Sequence, residues 1–119
     1  MKILIADDSM MVRRILERFM DKLKLDIAGS AANGKEAVKM YEELNPDIVT
    51  LDITMPEMDG LNAMKQILAI NPAAKVIIVS AVNSKDMIVQ ALNGGAKAYI
   101  VKPFTEGQIV ETITEVMSA

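Results

Sequence analysis

Two adjacent carboxylates, Asp7 and Asp8, close a short apolar run, and Asp52 closes another. Ser80 ends a third run and the pair Lys102-Pro103 a fourth. The chain has no His and no Cys. Ser-His-Asp triads, histidine bases, disulfides, thiolate metal sites and thiol catalysis are therefore excluded. Any metal must be a hard cation held by oxygen. Crowded carboxylates raise one another's pKa, and a divalent cation relieves that repulsion. Mg2+ is suited to the task, because it takes a few carboxylates, keeps several waters and accepts a phosphate oxygen. A carboxylate beside such a cation can attack phosphorus and become an aspartyl phosphate. Lys102 would then neutralise transferred charge, and the Ser80 hydroxyl would donate to a phosphoryl oxygen. The set is coherent for phosphoryl transfer to a carboxylate, provided the fold brings its members together.

Bringing them together requires strands that end on one edge. Lys2–Ala6, Asp26–Ser30, Asp47–Leu51, Lys75–Ser80 and Ala98–Val101 read as strands, rich in β-branched and apolar residues. The first, third and fourth are nearly continuous in apolar residues, as in strands buried on both faces of a parallel sheet. Helical periods lie between them. Val12, Ile15, Leu16, Phe19 and Leu23 share one face of the first helix, with Arg14, Arg18 and Lys22 on another. A second helix runs from about Asn33 to Leu44, with Asn33 as cap and Glu36 three residues on. The third follows Gly60 and turns Leu61, Met64, Ile67 and Leu68 inward. The fourth starts at Ser84 and stops at Asn93-Gly94-Gly95. The fifth opens with Thr105 and Gln108 in capping-box spacing and buries Ile109, Val110, Ile113 and Met117. Five such βα units in a row predict an α/β fold: a doubly wound, five-stranded parallel sheet with helices on both faces. Ligands of such sheets bind at the carboxyl ends of the strands, where Asp7, Asp8, Asp52, Ser80 and Lys102 are expected.

Composition agrees with a single compact domain spanning residues 1–119. The hydrophobic fraction of 51% and mean hydropathy of +0.25 supply a core and argue against disorder. A net charge of −3 with no basic run is a poor basis for binding nucleic acid. The apolar stretch Ile3–Ala6 is interrupted by Asp7 and Asp8 too early for a signal peptide. The longest apolar run, around Val76–Val82, is far short of a membrane span. A soluble, cytoplasmic, monomeric protein with no membrane partner is expected.

Each residue also has a plainer reading. Asp7-Asp8-Ser9 could cap the first helix. Asp52 could be a polar strand end, and Met55–Gly60 a turn-rich loop. Lys102 could extend into water, Ser80 could be a satisfied core hydroxyl, and Tyr99 could be packing. Met10 and Met11, beside the acidic pair, could be exposed enough to touch a partner helix. Together, the plain readings demand five independent coincidences on one sheet edge.

The segments Asp7-Asp8, Leu51–Gly60 (LDITMPEMDG), Ser80-Ala81 and Lys102-Pro103-Phe104 resemble the signature of two-component response-regulator receiver domains. The resemblance covers the whole chain and is strongest to the stand-alone chemotaxis regulators. It implies a flavodoxin-like strand order, 2-1-3-4-5. It implies that Asp52 accepts a phosphoryl group from a histidine kinase, here one of the chemotaxis (CheA-like) type. It implies Mg2+ held by Asp7, Asp8 and Asp52, directly or through water, and by the Thr54 backbone carbonyl. Lys102 would contact the phosphoryl group, with a cis peptide before Pro103. Ser80 and Tyr99 would act as the switch, remodelling the face of the fourth helix, fifth strand and fifth helix. That face would bind a flagellar motor switch or another output protein, and a phosphatase would be a further partner. The switch is expected to stand alone, with no effector domain after the fifth helix.

Other readings remain in view. A phosphorelay intermediate would pass the phosphoryl group from Asp52 to a histidine on a second protein. A haloacid-dehalogenase-type Mg2+ phosphatase would want an acid two residues after its nucleophile, where this chain has Thr54. A flavodoxin-like FMN carrier would want a hydroxyl-rich loop and aromatics, yet the chain has two Tyr, two Phe and no Trp. Neither G-x-G-x-x-G nor the P-loop pattern occurs. In the family, the residues two after the phosphoacceptor and two after the switch hydroxyl influence phosphate loss. Here they are Thr54 and Val82, which offer no amide or carboxylate to attacking water. Slow to moderate self-dephosphorylation is expected. Repulsion in the acidic cluster further predicts that Asp7→Asn or Asp52→Asn stabilises the metal-free fold.

Overall fold

The computed structural model describes residues 1–119. Elements alternate without exception: β1 (Lys2–Ala6), α1 (Met10–Lys22), β2 (Asp26–Ala31), α2 (Gly34–Leu44), β3 (Ile48–Leu51), α3 (Gly60–Ile70), β4 (Lys75–Ser80), α4 (Lys85–Asn93), β5 (Ala98–Val101) and α5 (Glu106–Ser118). The five strands form one sheet in the order β2-β1-β3-β4-β5, and every pair is parallel. The α/β class, the doubly wound sheet and the expected order all hold. Register brings the functional ends level, since Ala6 pairs with Leu51 and Ser80 with Val101.

Two apolar layers sandwich the sheet. Leu4, Val49, Leu51, Val76 and Ile78 face α2 and α3 with Ala37, Tyr41, Ala63, Met64 and Ile67. On the other side, Ile3, Ile5, Ile48, Ile77 and Val79 meet Leu16 and Met20 of α1 and Ile109, Ile113 and Val116 of α5. Each fully buried Leu, Ile, Val or Met side chain among them contributes about 1.5–3 kcal/mol of transfer free energy. This double burial explains why β1, β3 and β4 read as continuous apolar runs. One buried hydroxyl, Thr50 Oγ1, has no hydrogen-bond partner.

The expected caps are in place. Ser9, Asn33, Ser84 and Thr105 accept from the backbone N–H groups of Val12, Glu36, Met87 and Gln108, and Thr105 with Gln108 closes a full capping box. Boundaries differ slightly. β3 starts at Ile48 because the Asp47 carboxylate instead accepts from the Lys2 backbone N–H at 2.7 Å. β2 continues through Ala31, whose carbonyl accepts from the Asp7 N–H at 3.0 Å. On α5, Val116 takes the buried position, and Val110 and Met117 are half-buried. On α1, Met20 lies deeper than Val12, Ile15, Phe19 and Leu23.

The end of α1 carries no glycine. Lys24 takes a left-handed φ of 59°. The Leu25 N–H reaches the Met20 carbonyl and the Lys24 N–H reaches that of Asp21. This is a Schellman closure, with Met20 and Leu25 both buried beneath it.

Candidate functional site

Asp7 leaves the sheet at the end of β1 and is 1% exposed. Four hydrogen bonds fix it. Its N–H donates to the Ala31 carbonyl at 3.0 Å, and its own carbonyl accepts from Arg13 Nη1 at 2.5 Å. Oδ1 accepts the Ser9 N–H at 2.9 Å, and Oδ2 accepts Lys102 Nζ at 2.7 Å. Ser9, not the acidic pair, caps α1, so Asp7 and Asp8 are left to the site.

Asp52 follows β3 and is also buried. Its N–H donates to the Ala6 carbonyl at 3.0 Å, which ties it to the strand end that carries Asp7. Oδ1 accepts the Thr54 N–H at 3.3 Å and Oδ2 accepts Lys102 Nζ at 3.0 Å. The following loop folds back tightly. The Gly60 N–H meets the Ile53 carbonyl at 2.9 Å, and a Cβ added at Gly60 would fall 2.0 Å from the Asp52 carbonyl oxygen. Within the loop, Met58 N–H closes on Pro56 O at 2.7 Å around Glu57, whose φ is +70°. The Gly34 N–H binds the Met58 carbonyl at 3.1 Å and docks the loop on the start of α2. Asp59 caps α3.

Asp8 is exposed, yet carboxylate oxygens of Asp7, Asp8 and Asp52 all lie within 4.8 Å of one another. The donor set is oxygen alone. It fits a small hard cation, and nothing in it suits a softer metal.

Lys102 comes from the far end of β5, its peptide bond to Pro103 is cis, and its N–H donates to the Ser80 carbonyl at 2.9 Å. Its ammonium does not extend into water: it bridges Asp7 and Asp52. The electrostatics follow. Burial pushes the Asp7 carboxyl up; bonds from Lys102 and Ser9 and the Lys102 charge pull it back, and the Asp52 charge adds a smaller upward push. The net is upward, with burial rather than mutual repulsion as its main cause, which corrects the expectation of a repulsion-dominated cluster. For Lys102, burial alone would lower the pKa, but its hydrogen bonds to Asp7 and Asp52 and their charges together raise it.

Ser80 is fully buried at the end of β4, and its Oγ accepts the Val82 N–H at 3.2 Å. Tyr99 of β5 is half-buried and donates its hydroxyl to the Val82 carbonyl at 2.5 Å. Burial raises its pKa, and the Asp52 charge adds to the rise. Ser80 and Tyr99 therefore converge on one residue of the β4–α4 loop. Thr54 and Val82 meet the site through their backbones, Thr54 being exposed and Val82 half-buried. Met10 and Met11 are 56% and 73% exposed, as their position suggested.

Arg13 was not among the residues singled out from sequence, which placed Arg14, Arg18 and Lys22 in one row. Its place four residues after the capping Ser9 is the only hint, since helical side chains lean toward the N-terminus.

Comparison with known proteins adds four likenesses. The family profile of the response regulator receiver domain matches residues 3–114. The chain is 47% identical to the chemotaxis protein CheY of Thermotoga maritima over 115 residues, covering 97% of this chain and 96% of that protein. It is 49% identical to CheY of Listeria monocytogenes over 113 residues, 95% of each. Among solved structures, the CheX-CheY-BeF3-Mg+2 complex from Borrelia burgdorferi superimposes with a TM-score of 0.94 at 36% identity, covering 98% of this chain and 88% of that one.

Proposed function

The chain belongs to the response regulator receiver domain family, whose members are signalling switches rather than conventional enzymes, and on that premise we propose that Asp52 is its phosphoacceptor. The observation that carries the reading is the convergence of Asp7, Asp8 and Asp52 oxygens within 4.8 Å with Lys102 Nζ bridging two of them. Asp7, Asp8, Asp52 and the Thr54 carbonyl would hold Mg2+. Bound there, it supplies positive charge to the transferring phosphoryl oxygens.

Asp52 Oδ attacks the phosphorus of a phosphohistidine on the kinase. A P–O bond forms and the P–N bond breaks. The leaving imidazole nitrogen keeps the electron pair and takes up a proton. The fixed backbone of Asp52 orients the nucleophile, and the Thr54 N–H and Lys102 hold its two carboxylate oxygens in place. Lys102 exchanges its bond to Asp52 for one to a phosphoryl oxygen. The Ser80 hydroxyl turns from the Val82 N–H to donate to another. Tyr99, bonded to the carbonyl of the same Val82, follows the loop inward, and the α4-β5-α5 face changes shape. The added charge is about −1.5 to −2 at one point. Its effect on partner affinity is of the usual order for such coupling, about 1–3 kcal/mol.

The output is a protein–protein contact. The similarity to chemotaxis CheY proteins favours control of a flagellar motor switch by a monomeric, cytoplasmic regulator. A histidine kinase of the chemotaxis type supplies the phosphoryl group. A CheX-like phosphatase is a further partner, suggested by the Borrelia burgdorferi complex. Transfer from phosphorylated Asp52 to an isolated histidine phosphotransfer domain would instead favour a relay.

Intact-mass spectrometry after incubation with acetyl phosphate tests the chemistry. An adduct of about +80 Da that requires both Mg2+ and Asp52 is expected, and Asp52→Asn should show none. No adduct on folded, Mg2+-loaded wild type would withdraw the mechanism and leave the fold.

A further inference from the structure

Arg13 sits in the first turns of α1, half-buried, and makes no ion pair with any carboxylate. Its one side-chain hydrogen bond runs to the backbone carbonyl of Asp7 at 2.5 Å. A guanidinium is costly to hold still and to desolvate, and its natural partner is a carboxylate. Here three carboxylates lie close by, and the group binds the peptide between the first two of them instead.

That peptide matters because Asp8 has little else to aim it. Asp8 is exposed and joins no ion pair, so its direction is set by the backbone that precedes it. The Asp7 side chain is secured separately by Ser9 and Lys102. Arg13 thus holds the part of the acidic pair that those two do not. We propose that Arg13 is a positioning residue for the cation site: through the Asp7 carbonyl it fixes the Asp7–Asp8 peptide so that both carboxylates face Asp52. The proposal rests on the reading that this cluster holds Mg2+.

Charge and position make opposite predictions. A positive charge beside a divalent-cation site repels the cation, so its removal alone should tighten Mg2+ binding. Loss of an outer hydrogen bond that orients a ligand commonly weakens binding about 10–100-fold. Calorimetric titration of the full chain with MgCl2, on wild type, Arg13→Met and Arg13→Lys, reads the sign directly. Thermal melts without metal run in parallel. We expect Arg13→Met to bind Mg2+ about 10-fold more weakly, and Arg13→Lys, which keeps a donor on a long stem, to recover much of that loss. Affinity in Arg13→Met equal to or tighter than wild type overturns the proposal, whatever happens to the melting temperature. If Arg13→Met does not fold, Arg13→Gln, too short to span to the Asp7 carbonyl, takes its place with the same expected loss. Wild type that binds no Mg2+ removes the cation reading and this inference together. Wild type that binds, with variants that match it, removes this inference alone.

Discussion

Lys102 Nζ stands 2.7 Å from Asp7 Oδ2 and 3.0 Å from Asp52 Oδ2, so one ammonium joins the ends of β1 and β3 from its own place beyond β5. The metal-free site is therefore not a bare cluster of anions. Its two buried carboxylates share an internal cation, and the exposed Asp8 stands outside that pairing. A divalent cation or a phosphoryl group bound here would compete for the oxygens that Lys102 holds.

Asp7 titrates above its ordinary range, chiefly because it is buried. Its ionised form therefore opposes folding. The cost is absent below the ordinary carboxylate pKa of about 3.9 and grows as pH rises through the raised native value. Asp7→Asn should stabilise the metal-free protein at pH 7, on the order of 1 kcal/mol, and the gap to wild type should close in acid. Mg2+ should raise the melting temperature of wild type by mass action and that of the variant much less. Melts at several pH values with and without MgCl2 measure both effects. If Asp7→Asn and Asp52→Asn destabilise the metal-free fold equally, the carboxylates are structural.

Removing the ammonium has the reverse sign. Lys102→Ala leaves two buried carboxylates unpaired, which should cost about 1–3 kcal/mol at neutral pH. The loss should shrink in acid, where Asp7, with its raised pKa, takes up a proton, and Mg2+ should restore part of it. Because the Lys102 pKa is raised, its stabilisation of wild type is complete below the ordinary lysine value of about 10.4 and is lost as pH rises through the native one. Urea midpoints across pH test this. A variant as stable as wild type at pH 7 would contradict the bridge.

The phosphoryl group on Asp52 should be long-lived. The Thr54 side chain is exposed but carries no amide or carboxylate, and Val82 contributes only its backbone to the network around Ser80 and Tyr99. Nothing there holds an attacking water in line. Replacing Thr54 with Gln supplies such a group and should shorten the lifetime severalfold, within the usual reach of water positioning. Decay of the intact-mass adduct measures it, and a wild-type half-life of a few seconds at room temperature would refute the expectation.

Much of this was legible in the chain. Continuous apolar runs marked β1, β3 and β4 because both sheet faces are covered, and side-chain caps marked the helix starts. The convergence of Asp7, Asp52, Ser80 and Lys102 on one sheet edge was legible because each stands at or just after the carboxyl end of a strand. Strand order came from the resemblance, since periodicity does not say which strands are neighbours. Arg13 was invisible for a related reason: its hydrogen bond depends on where the strand end lies relative to the helix. The close of α1 was hidden because Lys24 does what a glycine normally does.

That last substitution is open to test. A non-glycine residue in the left-handed region costs about 1 kcal/mol. Lys24 is exposed, its φ is 59°, and the closure uses only its backbone. Lys24→Gly should therefore raise stability by about 0.5–1 kcal/mol without changing Mg2+ affinity. A fall in melting temperature would show that the lysine side chain itself contributes.

Gly60 poses the opposite case. It is the first residue of α3, where alanine would ordinarily gain up to about 1 kcal/mol in helix propensity. The added methyl would meet the Asp52 carbonyl oxygen at 2.0 Å and the Ile53 Cα at 2.9 Å, both backbone atoms that cannot swing aside. Overpacking of this kind costs about 3 kcal/mol or more, so the clash wins. Gly60→Ala should lower the melting temperature, and because the atoms displaced belong to Asp52 and its neighbour, it should also weaken Mg2+ binding and slow adduct formation. Gly107→Ala is the control. It adds the same methyl in α5, where the one near atom is Thr105 Oγ1 at 3.9 Å. Propensity acts alone there, and stability should rise by a few tenths of a kcal/mol with the site unchanged. If the two variants shift the melting temperature alike, the close approach of α3 to Asp52 does not hold the site.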